Sequence, residues 1–128
     1  IKSSESNRSS PKTMKARLQM LPVLAASADV TWVLGSGGAS CDLTCISRSG
    51  CSEDAWPKTD AEFYDISKLA GQVCESTQTG SAKYDPSTDG RYCGWKGPED
   101  MPKEETRCSQ SADSSTYRFC PCNSDKEL

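Results

Sequence analysis

Apolar residues are thinly spread along this chain and gather in a few short groups, each with its own period. Val30, Trp32 and Leu34 alternate with their neighbours, the period-2 spacing of a strand, and a Gly-rich turn through Gly35, Gly37 and Gly38 follows. That turn lacks the full G-x-G-x-x-G pattern, since position 40 is Ser, so a phosphate loop is not implied. Ser40 stands as an N-cap before Cys41, Cys45 and Ile46, which predicts a short helix that Gly50 stops. The spacing predicts a longer helix over residues 59–71. There Thr59 and Glu62 form a capping box, Phe63, Ile66, Leu69 and Ala70 make one apolar stripe, and Gly71 closes the element. With Trp32 and Val33, that stripe is expected to supply most of the core. Beyond residue 75 the chain is rich in Gly, Pro, Ser, Thr and Asp. Tyr117-Arg118-Phe119-Cys120 reads as a closing strand, and the rest as short strands and irregular loops rather than a regular sheet.

Composition changes the picture because these groups are too few to hold a domain. Only 34% of the 128 residues are hydrophobic, and the mean hydropathy is -0.66. The length allows one domain. A chain this polar needs another source of stability, and eight cysteines supply the candidates: Cys41, Cys45, Cys51, Cys74, Cys93, Cys108, Cys120 and Cys122. Their even number and density predict a disulfide framework and an oxidising compartment. Each bridge contributes roughly 2–4 kcal/mol. The pairing stays open, except that Cys41 and Cys45 share one helix face and each reaches a different partner. Cys120-Pro121-Cys122 fits two separate bridges better than a zinc or redox pair, whose spacings are C-x₂₋₄-C and C-x-x-C.

The chemistry these residues can carry is limited. His is absent, which removes the Ser-His-Asp triad, the Cys-His dyad and any His metal ligand. Asp and Glu remain as general acid-base groups, scattered over polar segments, so no enzyme, metal or cofactor is implied. Asp85-Pro86-Ser87-Thr88-Asp89-Gly90 matches the opening of a calcium loop, but the twelfth position is Lys96 and not a bidentate Glu, which favours a polar turn.

Charge then divides the chain in two. Against a total of -3, Lys2, Arg8, Lys12, Lys15 and Arg17 with Glu5 give residues 1–28 a net +4, so the remainder carries -7. A basic arm joined to an acidic cysteine-rich domain, residues 29–128, is expected to meet different surfaces, and nucleic acid is disfavoured as a partner. Residues 1–13 are Ser-rich and basic, like the remnant of a transit peptide. Residues 14–28 have the layout of an export signal: Lys15 and Arg17, an apolar run from Leu18 to Ala26, and an A-x-A ending at Ala28. The run is too short to span a bilayer, which takes about 20 apolar residues. The expectation is an uncleaved or degenerate signal acting as an anchor, with Lys2, Arg8, Lys12, Lys15, Arg17, Leu18, Leu21 and Leu24 as partner-binding residues and peripheral membrane contact through residues 14–28. The closing Asp125-Lys126-Glu127-Leu128 is a permuted form of an ER-retrieval tail.

Trp32-Val33-Leu34-Gly35, Gly38-Ala39-Ser40-Cys41 through Cys45, then Cys51, and Arg118-Phe119-Cys120-Pro121-Cys122 form a series. From Trp32 to Cys122 that series resembles a cysteine-rich module of secreted and organelle-lumen proteins of algae and other protists. The resemblance implies a compartment and a scaffold, and no reaction. The arm, transit-like and then signal-like, looks like the bipartite leader of thylakoid-lumen proteins. Together they imply an accessory structural subunit of a photosynthetic membrane complex, such as a dinoflagellate-type photosystem, bound to its membrane-embedded protein subunits at the lumenal face. The alternative is a secreted cysteine-rich module that binds carbohydrate or protein, with Trp32, Trp56, Trp95, Tyr84 and Tyr92 as stacking faces. On either reading the expected fold is a small disulfide-rich, loop-rich α+β domain with two short helices, preceded by an extended N-terminal arm.

Overall fold

The computed structural model describes residues 30–124, so the basic arm, its partner-binding residues and the last four residues lie outside the described part. Strand β1 (Val30–Leu34) is followed by helix α1 (Cys41–Thr44) and helix α2 (Asp60–Leu69). Strands β2 (Ser76–Gln78), β3 (Ser87–Thr88), β4 (Tyr92–Gly94) and β5 (Tyr117–Asn123) complete the domain. It is a small, disulfide-rich α+β fold with two short helices, as its pattern predicts. Among the described residues no helix is long and apolar enough to cross a membrane.

Local chemistry accounts for both helices. The Ser40 hydroxyl accepts from the Leu43 N–H at 3.1 Å and starts α1. Thr59 does the same for Glu62 at 3.1 Å. The Glu62 carboxylate reaches one residue past the usual capping box and accepts from the Lys58 N–H at 2.7 Å. At the other end Gly71 has φ +80. Gln72 N–H donates to Ser67 O and Gly71 N–H to Lys68 O, the pair of bonds of a Schellman motif. Only a residue without a Cβ adopts that left-handed turn at no cost.

The tail does hold the expected short strands, but they join β1 in one five-stranded sheet of order β1-β5-β3-β4-β2, where no regular sheet was expected. Only the β4-β2 pair is parallel. β5 pairs with β1 from Val30↔Asn123 to Leu34↔Phe119. On its other edge it meets β3 through Ser87↔Arg118 and Thr88↔Tyr117. Further along, Ser52 N–H donates to Pro121 O and Asn123 N–H to Gly50 O. Gly35 N–H donates to Arg118 O, so the even-numbered residues of β5 turn their backbone groups toward β1 and the odd-numbered ones away. Pro121 is odd-numbered, so its missing N–H removes no bond to β1.

Because side chains alternate along a strand, β5 feeds two core layers. Cys120 and Cys122 point to a layer of Cys41, Cys45 and Cys108, flanked by Val33, Cys51 and Trp56. Phe119 points to the opposite layer of Phe63, Ile66, Cys93 and Trp95, flanked by Trp32, Leu34, Ala70 and Cys74. Phe63 and Phe119 meet edge to face at 5.1 Å. The expected α2 stripe is narrower than its sequence suggests: Leu69 is 71% exposed. It lies six residues past Phe63, about 120° round the helix from it. Sulfur takes the place of the missing apolar residues in the first layer.

Candidate functional site

All eight cysteines are paired, as Cys41–Cys120, Cys45–Cys122, Cys51–Cys108 and Cys74–Cys93. Cys41 and Cys45 do reach different partners, and the C-P-C run is divided between two bridges. Asp42, Cys51 and Cys108 come within 4.8 Å of one another, but both sulfurs of that group are bonded to each other and offer no thiolate.

Beside the sulfur layer lies a charged cluster that is not evident from the sequence. Arg118 is 0% exposed. Its Nη1 donates to Gln110 O at 2.7 Å and also to Arg107 O. Arg107 Nη2 donates to Asp85 O at 2.7 Å. Arg107 Nε and Arg118 Nε and Nη2 have no oxygen partner among the described residues. The face of Trp56 offsets part of that loss, with the guanidinium carbons of Arg107 and Arg118 at 4.6 and 5.7 Å from its ring centroid. Burial first, and then repulsion by Arg107, lower the Arg118 pKa to about 10. Glu53 ties the surrounding chain together by accepting from Cys108 N–H at 2.8 Å and from the Trp56 indole N–H at 3.3 Å. The sequence did carry one signal for Arg118: it stands at i, i+2, i+4 with Cys120 and Cys122, so it must share their buried face.

In front of this cluster β3, β4 and the 78–85 segment enclose a cleft of about 380 Å³. Its lining includes Gln78, Tyr84, Asp85, Ser87, Thr88 and Tyr92, and Asp89 is its other acid. No Lys or Arg is among the residues that line it. At its base Asp85, 4% exposed, accepts from the Ser87 hydroxyl at 2.9 Å. Burial raises the Asp85 pKa, opposed by the bonds from Ser87 and Ala82 and by the charges of Arg107 and Arg118. Asp89 is held in the opposite direction, its pKa lowered by the backbone N–H groups of Tyr92 and Arg91. The D-P-S-T-D-G run is therefore a corner of the cleft whose second carboxylate already serves the chain's own backbone, each of those bonds being 2.8 Å.

Of the five aromatic residues expected to offer stacking faces, the fold brings Tyr84 and Tyr92 to this cleft. Trp95 is 5% exposed, and its indole N–H donates to Asp60 at 2.7 Å, which pins it under α2. Trp32 and Trp56 pack edge to face at 6.4 Å and flank the two core layers. Trp32, Trp56 and Trp95 therefore serve the fold, and the stacking platform reduces to two tyrosines.

Four long-range disulfides with no cysteine left over place this domain in the class of disulfide-stapled modules of oxidising compartments, secreted or lumenal. No protein-family model, curated protein or solved structure matches the chain.

Proposed function

We propose that this chain is a non-catalytic accessory subunit of a larger membrane-associated assembly, working on the lumenal face of a photosynthetic complex. The observation that carries this reading is the outer side of α1. The helix and the turn after it are fixed by bridges at Cys41 and Cys45, while Leu43 on the helix and Ile46 in the turn remain exposed. Large apolar residues held rigidly in the open lose little entropy on docking, as an interface anchor requires. The leader-like arm and its opposite charge add a second contact, toward membrane subunits. Isolation under native conditions from the source membranes tests the reading. Co-migration with a large pigment–protein complex is expected, and migration as a free soluble protein overturns it.

A second reading, a secreted module that binds carbohydrate or protein, is favoured by a different observation. Tyr84 and Tyr92 line one polar cleft with Asp85 at its base.

A further inference from the structure

We infer that the cleft between β3, β4 and the 78–85 segment is a binding site for a neutral saccharide ring, an inference that rests on the carbohydrate form of the second reading. The lining decides the ligand class. No Lys or Arg lines the cleft, and the nearby cations already have partners, Arg107 on the Asp85 carbonyl and Arg91 on Glu75, so a phosphate, sulfate or carboxylate meets Asp85 and Asp89 with no cationic side chain in the lining to receive it. Gln78, Ser87, Thr88 and Thr116 supply neutral donors and acceptors, which suits a ligand made of hydroxyls and not an apolar one. Tyr84 and Tyr92 add the flat faces that the C–H side of a sugar ring requires, and Arg91 stacks over the Tyr92 ring at 5.1 Å.

Two side-chain-free positions keep the base of the cleft clear. Gly94 and Gly80 both line it, and a Cβ on Gly94 would stand 3.1 and 3.3 Å from the two Asp85 oxygens, with Gly80 at 3.6 Å from Oδ2. Any side chain at Gly94 crowds the carboxyl that would accept a ligand hydroxyl. The volume of about 380 Å³ falls within the range of small-ligand sites. It corresponds to about a dozen water molecules at ~30 Å³ each, which is room for one sugar ring and either a second ring or the water around it. Asp89 Oδ1 is committed to the Arg91 and Tyr92 amides, so the acceptors for ligand hydroxyls are the Asp85 carboxyl and the outer oxygen of Asp89.

The test uses the full chain with its disulfides intact, followed by amide NMR while glucose, mannose, N-acetylglucosamine and their disaccharides are added, with glucose 6-phosphate as the anionic control. Millimolar, saturable shifts at Gly80, Ser87, Tyr92 and Gly94 are expected for at least one neutral sugar and none for the phosphate. Tyr92→Ala and Gln78→Ala, both truncating exposed side chains, should each weaken that binding by about tenfold while the amide spectrum stays that of the folded domain. Saturable sugar binding that shifts residues outside the cleft, or that both variants leave unchanged, overturns this site while the binding-module reading stands. No shift with any sugar overturns the site and the carbohydrate form of that reading together. Stronger binding of the phosphate than of glucose overturns the assigned ligand class.

Discussion

The two faces of β5 reach the same degree of burial by different means. On one, Cys120 and Cys122 are bonded to α1, and Arg118 fills the space beside them. On the other, Phe119 meets Phe63 under α2 with no covalent link between the two elements. The aromatic face is held by apolar area removed from water, and it needs a helix with a real stripe to cover it. The sulfur face is covered by a four-residue helix, far below the length at which a helix is stable alone. Its order is imposed by cross-links. In a chain with two Phe and three Trp, apolar residues cover one face with a single bridge, Cys74–Cys93, in its layer, and the other three bridges complete the opposite face.

Breaking the sulfur face gives the largest expected effect. Closing a loop of 79 residues contributes about 4–5 kcal/mol in the chain-entropy account, and a domain has only about 5–15 kcal/mol in total. Replacing Cys41, Cys120, Cys45 and Cys122 by Ala together should leave the domain unfolded at room temperature, as read by urea titration. Replacing either pair alone should cost about 2 kcal/mol, because the remaining bridge already holds α1 against β5 and the second closes only a small ring. Equal and additive losses would show that the two bridges act on different elements.

Breaking the aromatic face comes next. Phe119→Ala should destabilise by about 3–4 kcal/mol in the same titration. A free-thiol count should stay at zero in the folded variant, which separates this loss from any loss of cross-linking.

The smallest effect is a pH dependence that sharpens the contrast between buried and exposed carboxyls. The folded pKa of Asp85 is raised, chiefly by burial. Its contribution to stability is therefore fully present below the unfolded pKa and is lost as pH rises through the folded one. Asp85→Asn, which keeps an acceptor for Ser87, should be more stable than the parent at neutral pH, with that advantage vanishing in acid. Asp89 and Asp113 run in the opposite sense, their pKa values lowered by hydrogen bonds. Their contributions are present above the unfolded value and are lost as pH falls through the folded ones. Thermal melts across acid to neutral pH read both trends. A flat profile for the parent, unchanged by Asp85→Asn, would count against the burial of that carboxyl.

Several elements were legible in the residues alone, because each depends on neighbours a few positions away. Ser40 and Thr59 announce the helix starts, Gly71 the end of α2, and alternation the strand around Trp32. Leu69 fits the helical spacing of the stripe yet stays exposed, because the core layer takes Phe63, Ile66 and Ala70 from this helix and Leu69 lies off that side. Trp95 departs from its expected stacking role for a different reason. Its partner Asp60 stands 35 residues away, and nothing near either residue signals the contact.

The sequence by itself determined that this is a disulfide-held domain of an oxidising compartment. The apolar residues of so polar a chain are too few to hold it alone, and its eight cysteines are the source that completes its stability. Tertiary structure alone decided which cysteines meet, since separations of 77 and 79 residues carry no local signal. It also decided that Tyr84, Asp85 and Tyr92 share one cleft, which follows from pairing β3 with β4 and β4 with β2. Propensity and capping act over a few residues. Cross-links, strand register and the burial of Asp85 and Arg118 are properties of the closed chain, and they exist only once distant segments have met.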